Sequence, residues 1–410
     1  MITRDDCAAM DAGDALASLR SHFTLNEGEI YLDGNSLGPI SNAVRRRVHE
    51  VIDTEWAKGQ VRSWGDADWM GAPTRLGDRI APLIGARPGE VLVADTLTFL
   101  IAKLVGAALE QRPDRHVVLT DAANFHSDIY ILKAMCERAG RPVTLKTIDR
   151  NTLANELNDD VALVELTQVD YRTGESLDVA GITEKVHAAG ALMLWDFAHS
   201  TGAVPLDVTT ANVDFAAGCG YKYLNGGPGA PGFVYIRESW QGVLRNPLPG
   251  WLGHARPFDF ELEYEPAQGM QAFVTSSPSI LALAALEGAL EIWDHASMDQ
   301  VRAKSLALTD LFIALIEDRL PGTFDLVTPR EHSQRGSQVA LRHDEGYGVV
   351  RALIDRGVVG DFRAPDICRF GFTPLYLRFV DVYDAVERIV SVIESRSYLD
   401  ERYAVRSAVT

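Results

Sequence analysis

Six short segments in the first two-thirds of the chain are apolar almost from end to end, and helix-like stretches separate them. The segments are Val91–Asp95, His116–Thr120, Val161–Thr167, Ala191–Asp196, Val213–Ala217 and Gly232–Ile236; helical patterns run over Thr98–Glu110, Asp128–Ala139 and Thr183–Ala189. A strand apolar on both faces must be covered on both faces, and alternating strand and helix achieves this when the strands run mostly parallel. The order therefore predicts an α/β fold, with a large domain whose mostly parallel central sheet is flanked by helices. After about Pro278 the pattern changes. Two long helical patterns, Ser279–Trp293 and Met298–Arg319, precede shorter strands at Ser337–Arg342 and Val358–Arg363 and a helix near Val380–Glu394. This predicts a second, smaller α+β domain. The expected units are 46–277 and 278–410, with residues 1–45 as a segment packing on the smaller one.

Charge narrows the function classes. The 410 residues hold 39 Lys and Arg against 57 Asp and Glu, a formal net charge of −18. Such a surface repels phosphate backbones and anionic headgroups, so neither nucleic acid nor membrane is an expected partner, although a local pocket can still be positive. The four cysteines (Cys7, Cys136, Cys219, Cys368) are scattered, with no C-x-x-C pair and no Cys/His spacing of a zinc site. No disulfide framework and no metal are expected. The opening MITRDDCAAM carries charges where a signal peptide needs an apolar run, and no stretch approaches the ~20 apolar residues of a membrane span. The expectation is a soluble, cytoplasmic protein.

The most informative stretch is Leu194–Ile236, LWDFAHSTGAVPLDVTTANVDFAAGCGYKYLNGGPGAPGFVYI. Asp196 ends an apolar strand and His199 follows three residues later, where open α/β sheets gather their ligands. One strand further on, Lys222 stands between two tyrosines, with glycines before it and a Gly/Pro-rich run after it. Composition alone divides Lys222 evenly between a solvated surface lysine and a functional one. Asp196 shifts that balance. A strand-end acid with a lysine one strand on is the pair a pyridoxal phosphate enzyme needs: the lysine carries the Schiff base, and the carboxylate keeps the pyridine nitrogen protonated so that the ring accepts electrons.

Two pattern matches carry less. Gly227-Pro-Gly-Ala-Pro-Gly232 satisfies G-x-G-x-x-G but leads into a strand, and its prolines remove amide donors a pyrophosphate would use. Gly34-Asn-Ser-Leu-Gly38 satisfies the G-x-S-x-G nucleophile elbow, but it precedes most of the sheet, so a serine hydrolase using Ser36 stands only as a minor alternative. Asp196 with His199 lacks an obvious third metal ligand. Val91–Asp95 leads through Thr96, Leu97 and Thr98 into a helix, which offers an anion site at a helix N-terminus, or simple capping by Thr96 or Thr98. In Phe125-His-Ser-Asp128, after the next strand, the aromatic side chain can lie on a heterocycle or merely pack the loop.

Taken together, YLDGNSLGP (31–39), LWDFAHSTG (194–202), GYKYLNGG (220–227), GWLGH (250–254) and GDFR (360–363) resemble kynureninase, a family of fold-type-I, aminotransferase-like pyridoxal phosphate enzymes. The likeness extends from about residue 28 to about residue 390. It implies roles residue by residue. Lys222 would bear the Schiff base, Asp196 would partner the pyridine nitrogen and His199 would sit beside the cofactor. Leu97 and Thr98 resemble the phosphate loop, and Thr167 lies toward the cofactor's 3-hydroxyl side. Phe125 would stack on the ring, with Asp128 in the cofactor loop, and Tyr221 would bind phosphate and relay a proton. Trp251 and Ser277 would reach the cofactor from a neighbouring subunit, implying a homodimer with shared sites. Arg369 in CRFGFTPLY resembles the fork that grips a substrate α-carboxylate, with Asn35, Ser36 and Trp64 as further substrate contacts. A small residue at Ser277, together with Trp64, resembles the bacterial branch, which favours kynurenine over 3-hydroxykynurenine.

The resemblance implies hydrolysis of the Cβ–Cγ bond of L-kynurenine to anthranilate and L-alanine in tryptophan degradation or supply toward NAD. The alternatives are a class V aminotransferase or a cysteine desulfurase on the same fold. The latter requires a mobile cysteine, for which Cys368 is the candidate, although its setting reads as a strand with a buried thiol.

Overall fold

The computed structural model describes residues 2–403, 405 and 406; residues 1, 404 and 407–410, which belong to two of the predicted units, lie outside the described residues. Its centre is a sheet of seven strands: β1 (Val91–Ala94), β2 (Val117–Asp121), β3 (Thr144–Ile148), β4 (Val161–Thr167), β5 (Leu192–Asp196), β6 (Phe215–Cys219) and β7 (Gly232–Ile236). They lie in the order β1-β7-β6-β5-β4-β2-β3. Strands β4, β5, β6 and β7 are buried at every position, as unbroken apolar runs require when helices cover both faces. Only β7 runs against its neighbours. The segment between β6 and β7 contains no helix to make a crossover, so the chain returns antiparallel beside the strand it has just left.

Differences from the expected strands have local causes. β3 is absent from the sequence reading because it is an edge strand, mostly exposed, whose TLKTI sequence lacks an apolar run. The run expected at Val213–Ala217 begins two residues later because Asp214 meets β5 through its side chain, its carboxylate accepting the Met193 N–H at 2.9 Å. The single strand expected at Val358–Arg363 is two strands in different sheets. Val358–Val359 pairs in parallel with Ile30–Tyr31, while Asp361–Arg363 joins the smaller sheet. Gly360 makes the break, where a Cβ would stand 2.8 Å from the Phe370 ring.

The smaller sheet is antiparallel and places Asp361–Arg363, Ile367–Gly371, Gln338–Arg342 and Asp325–Leu326 side by side. Helices Met298–Arg319 and Phe379–Glu394 share its core, in which Phe312 packs on Phe370 and Phe372. Cys7, Leu16, Leu19 and Phe23 lie in that same core. The Asp11 carboxylate accepts the Phe379 and Val380 N–H groups at 2.7 and 3.1 Å, satisfying orphan donors at that helix start. No helix among the described residues is long and apolar enough to cross a membrane.

The carboxyl ends of β2, β4, β5 and β6 point toward the smaller sheet, and direct bonds lock the two parts together. The Tyr223 hydroxyl donates to the Ser337 carbonyl at 3.0 Å, and the Gln338 amide donates to the Asp170 and Tyr171 carbonyls. The loop carrying Lys222 is folded on itself by Asn225 N–H to Lys222 O at 2.9 Å and Gly226 N–H to Gly220 O at 2.8 Å. It is also pinned from outside, where Gly38 N–H donates to Tyr221 O at 2.8 Å. This approach is possible only without a side chain, since a Cβ on Gly38 would stand 2.5 Å from the Lys222 carbonyl. Gly38→Ala should therefore push the two loops apart, at a cost of about 1–3 kcal/mol. Thermal unfolding read beside a conservative surface variant checks this; an unchanged Tm would contradict the packing.

Candidate functional site

Lys222 opens into a cavity of about 190 Å³ between the sheet ends and the smaller sheet. Its lining comes from separate parts of the chain. Asn35 and Ser36 come from the GNSLG loop, Leu97 from a helix start, Phe125 from the loop after β2, and Thr167 and Tyr171 from β4 and beyond. Asp196, Ala198 and His199 follow β5, Tyr221 and Lys222 follow β6, and Arg363 and Arg369 belong to the smaller sheet. A larger, open groove of about 600 Å³ beside Thr24–Asn26, Leu37–Ile40 and Ser279–Ala285 brings no acid, lysine and imidazole together.

One wall is acidic. Asp196 is fully enclosed, with Oδ1 accepting the Ala198 N–H at 2.7 Å and Oδ2 lying 3.2 Å from the Thr167 hydroxyl. Burial raises its pKa, against the opposing pull of the Lys222 ammonium and these two contacts. Glu165, two residues before Thr167 on the same face of β4, is buried and accepts from Thr120 and Asn124 at 2.9 and 2.7 Å. Burial first, and then the Asp196 charge, pushes it up to about 8. Asp128 is raised well above the carboxylate range by burial, Asp196 and Glu165. Asp196 thus lines the cavity, with Glu165 and Asp128 buried and in electrostatic contact with it, and no carboxylate of the described residues comes within ion-pair distance of Lys222. The Lys222 ammonium lies 5.9 Å from the centre of the Tyr221 ring.

The opposite wall is cationic. Arg369 is buried. Its Nε donates to Asp361 at 2.7 Å, Nη2 donates to Ser36 Oγ at 2.8 Å and also to Asp361, and Nη1 meets the Tyr171 carbonyl. Arg363 donates to the same Asp361 carboxylate at 2.6 Å. Burial alone would raise Asp361, but Arg369 and Arg363 outweigh it and hold the group below the usual carboxylate range. His199 lies between the walls. Burial first, and then the charges of Lys222, Arg369 and Arg363, hold it well below the ordinary imidazole range, so it is neutral.

Ten of the residues singled out from sequence line this cavity, Asn35, Ser36, Leu97, Phe125, Thr167, Asp196, His199, Tyr221, Lys222 and Arg369, and an eleventh, Asp128, is buried and in electrostatic contact with Lys222. Four do not. Thr98 is exposed on the first turn of its helix, and Trp64 packs edge-on against Trp69 at 5.8 Å. Trp251 packs on Phe258 and is partly exposed, and Ser277 is exposed. The capping reading for Thr96 is corrected: it makes no side-chain cap, so the first-turn amides of Leu97–Glu110 keep their donors open. Ser36 is no elbow nucleophile. It follows a two-residue edge strand, donates to Asp361 at 2.8 Å and has no histidine partner among the described residues. Cys368 is buried on a strand with its thiol pKa raised by burial and its Sγ 3.4 Å from Gly346 O, which leaves it neither mobile nor ionised.

Sequence reasoning missed Glu165, Asn124, Tyr171, Asp361 and Arg363. One signal was visible: Glu165 is the only charge inside the apolar run VALVELT. The others acquire meaning only through the side chains that folding brings against them.

The donor set fits pyridoxal phosphate. Asp128 Oδ2, Glu165 Oε1 and His199 Nδ1 are buried without a hydrogen-bond partner, so polar capacity is left for a polar ring. An uncapped helix start offers amides to a phosphate, and the amine of Lys222 stands unpaired opposite an enclosed acid. Asp361→Ala should leave Arg369 and Arg363 without their shared counter-charge and cost about 3–5 kcal/mol at pH 7. Because the Asp361 pKa is depressed, that stability is present above the ordinary carboxylate pKa and is lost as pH falls through the folded value. Urea unfolding of the two proteins should therefore converge below roughly pH 4; a gap independent of pH would refute the assignment.

Comparison with known proteins gives three findings. Residues 301–389 match the model of the kynureninase C-terminal domain. A kynureninase from Burkholderia pseudomallei (strain 1106a) is 46% identical over 416 residues, covering all of both chains. Among solved structures, a cysteine desulfurase from Thermococcus onnurineus NA1 superposes with a TM-score of 0.78 at 17% identity, over 92% of this chain and 97% of that one. A C-DES variant with glycine covalently linked to its PLP cofactor gives a TM-score of 0.75 at 18% identity, over 89% and 97%. Identities this low speak for the fold alone.

Proposed function

The chain belongs to the kynureninase family, and from that premise we propose that it hydrolyses the Cβ–Cγ bond of L-kynurenine, yielding anthranilate and L-alanine. Members of the family are pyridoxal-phosphate-dependent hydrolases, and the fold is that of fold-type-I enzymes. The observation that supports the reading best is the pairing of opposite walls: an enclosed acid across from a lysine on one side and a guanidinium fork on the other, in one cavity.

Pyridoxal phosphate, when bound, supplies an aldehyde that condenses with amines and a protonated ring that delocalises the electron pair left at the substrate's Cα. Lys222 would hold the cofactor, Asp196 would keep the proton on its ring nitrogen, and Phe125 and neutral His199 would border the ring. Leu97 and Thr98 would present main-chain amides to the phosphate, with Asp128 and Thr167 completing the cofactor contacts. The Lys222 amine would also be the base that removes the Cα proton. Arg369, held flat by Asp361, grips the α-carboxylate and so selects which Cα bond is labile. A water adds to the γ-carbonyl, and collapse of the resulting diol breaks the Cβ–Cγ bond. Tyr221 then supplies a proton to Cβ. Cys219 beside it, burial and Asp196 all raise the Tyr221 pKa, so the phenol enters the reaction protonated. A positioned acid of this kind contributes about 10²–10⁴-fold.

The reading extends to features beyond this cavity. Trp251 and Ser277 lie on the surface, where each would complete the site of a second copy in a homodimer, and Asn35, Ser36 and Trp64 would meet the substrate's aryl ketone. The proposed division is a cofactor domain at 46–277 and a smaller domain at 278–410 that carries Arg369, with 1–45 packed on the latter. Kynurenine is the proposed preference over 3-hydroxykynurenine, in cytoplasmic tryptophan degradation or supply toward NAD.

Product analysis tests the reaction. Incubation with L-kynurenine should release fluorescent anthranilate, and incubation with cysteine should release no sulfide; the reverse outcome would replace this reading with a desulfurase. Lys222→Ala should no longer hold the cofactor after borohydride treatment, and a variant that keeps it at another lysine would move the assignment. Arg369→Ala should raise KM more than it lowers kcat, and an unchanged KM would remove the carboxylate clamp.

A further inference from the structure

Asn124 has all four of its hydrogen-bonding capacities occupied. Its amide N–H groups donate to Glu165 Oε2 at 2.7 Å and Thr120 Oγ1 at 3.1 Å. Its carbonyl accepts from the Phe125 N–H at 2.7 Å and from the Thr167 hydroxyl at 2.5 Å. A main-chain N–H can only donate, so the Phe125 contact fixes which end of the amide is oxygen. A hydroxyl has one proton, and Thr167 spends its proton on Asn124. The longer 3.2 Å contact from Thr167 to Asp196 Oδ2 is therefore left without a proton while Asn124 holds the Thr167 hydrogen.

The chain of bonds begins at Glu165. Its Oε2 takes both Thr120 and Asn124, and its Oε1 is buried with no partner at all. An ionised carboxylate with one bare oxygen in such a place is far costlier than a neutral acid. We propose that Glu165 is a positioning residue of the cofactor site: a neutral carboxyl that clamps the Asn124 amide, commits the Thr167 proton to it, and so leaves Asp196 Oδ2 free of that donor to face the cofactor's ring nitrogen. This rests on the reading of Asp196 as the partner of the cofactor's ring nitrogen. The charged groups facing Glu165 are Asp196 on β5 and Asp121 at the end of β2, with Asp128 on the helix that follows β2. All are acids, so ionisation of Glu165 adds a further negative charge beside the protonated ring and strengthens its hold.

The test uses holoenzyme and reads the rate at which pyridoxal phosphate is lost on dilution, with the cofactor absorbance followed from pH 6.5 to 9. Each variant is expressed as a ratio to wild type at the same pH. Glu165→Gln keeps an acceptor for Asn124 but cannot ionise. Its ratio should be about 1 at pH 6.5 and rise severalfold above the pH of about 8 to which burial pushes Glu165. Glu165→Leu leaves the Asn124 and Thr120 donors without their acceptor, and its ratio should already be roughly 10 at pH 6.5, the worth of one good hydrogen bond. A flat Gln ratio to pH 9, or a Leu ratio near 1 throughout, overturns the proposal. Should the Leu variant fail to fold, the Gln series decides alone. Wild type that holds pyridoxal phosphate yet makes no anthranilate sinks only the substrate reading; wild type that takes up no cofactor sinks both.

Discussion

Buried like charge is the constraint on which this molecule is arranged. Asp196, on the wall of a cavity of about 190 Å³, is backed by the buried carboxyls of Asp128 and Glu165, and three ionised carboxyls so placed could not coexist. Raised pKa values and a fully saturated amide at Asn124 keep the group tolerable. The result is a buried acid cluster, of which Asp196 lines the cavity and Asp128 Oδ2 and Glu165 Oε1 keep unspent polar capacity. Such an arrangement requires rigid support. It stands on the ends of parallel strands buried on both faces, the least mobile part of an α/β sheet.

The cationic wall solves the opposite problem with different means. Arg369 and Arg363 share one carboxylate, Asp361, and Ser36 bridges into the same cluster. Both cations and their counter-charge come from two adjacent strands of the smaller sheet, while Ser36 comes from the N-terminal loop that also pins the Lys222 turn through Gly38. One loop therefore touches both walls. A shift of either sheet relative to the other would be felt at once by the lysine and by the carboxylate clamp, so the spacing between cofactor and substrate groups follows from packing rather than from any single residue.

Much of the fold was legible in the sequence. β4 and β7 begin and end where their apolar runs do, because a strand covered on both faces is apolar over nearly its whole length. The edge strand β3 was not legible, since half-exposed strands lose that signature. Within the site, Asp196 and Lys222 could be read from their places after apolar strands, and Glu165 could have been, as a charge where none belongs. Asp361 and Arg363 stood in the GDFR block, but the sequence assigned them no role, because that role comes from the cluster they form with Arg369 and with Ser36, 325 and 327 positions away.

The apolar runs determined the fold class and the Asp196–Lys222 pair the cofactor chemistry, because hydrophobic periodicity and the chemistry of a lysine–acid pair are local properties of the chain; the family was legible through resemblance, in blocks such as GNSLG, GWLGH and GDFR. Only the tertiary structure decided which acids share a cavity, which of them stay neutral, and which arginine is held in place by which carboxylate. Those are matters of distance and dielectric between side chains on different strands and helices, and no pattern along the chain encodes them until it folds.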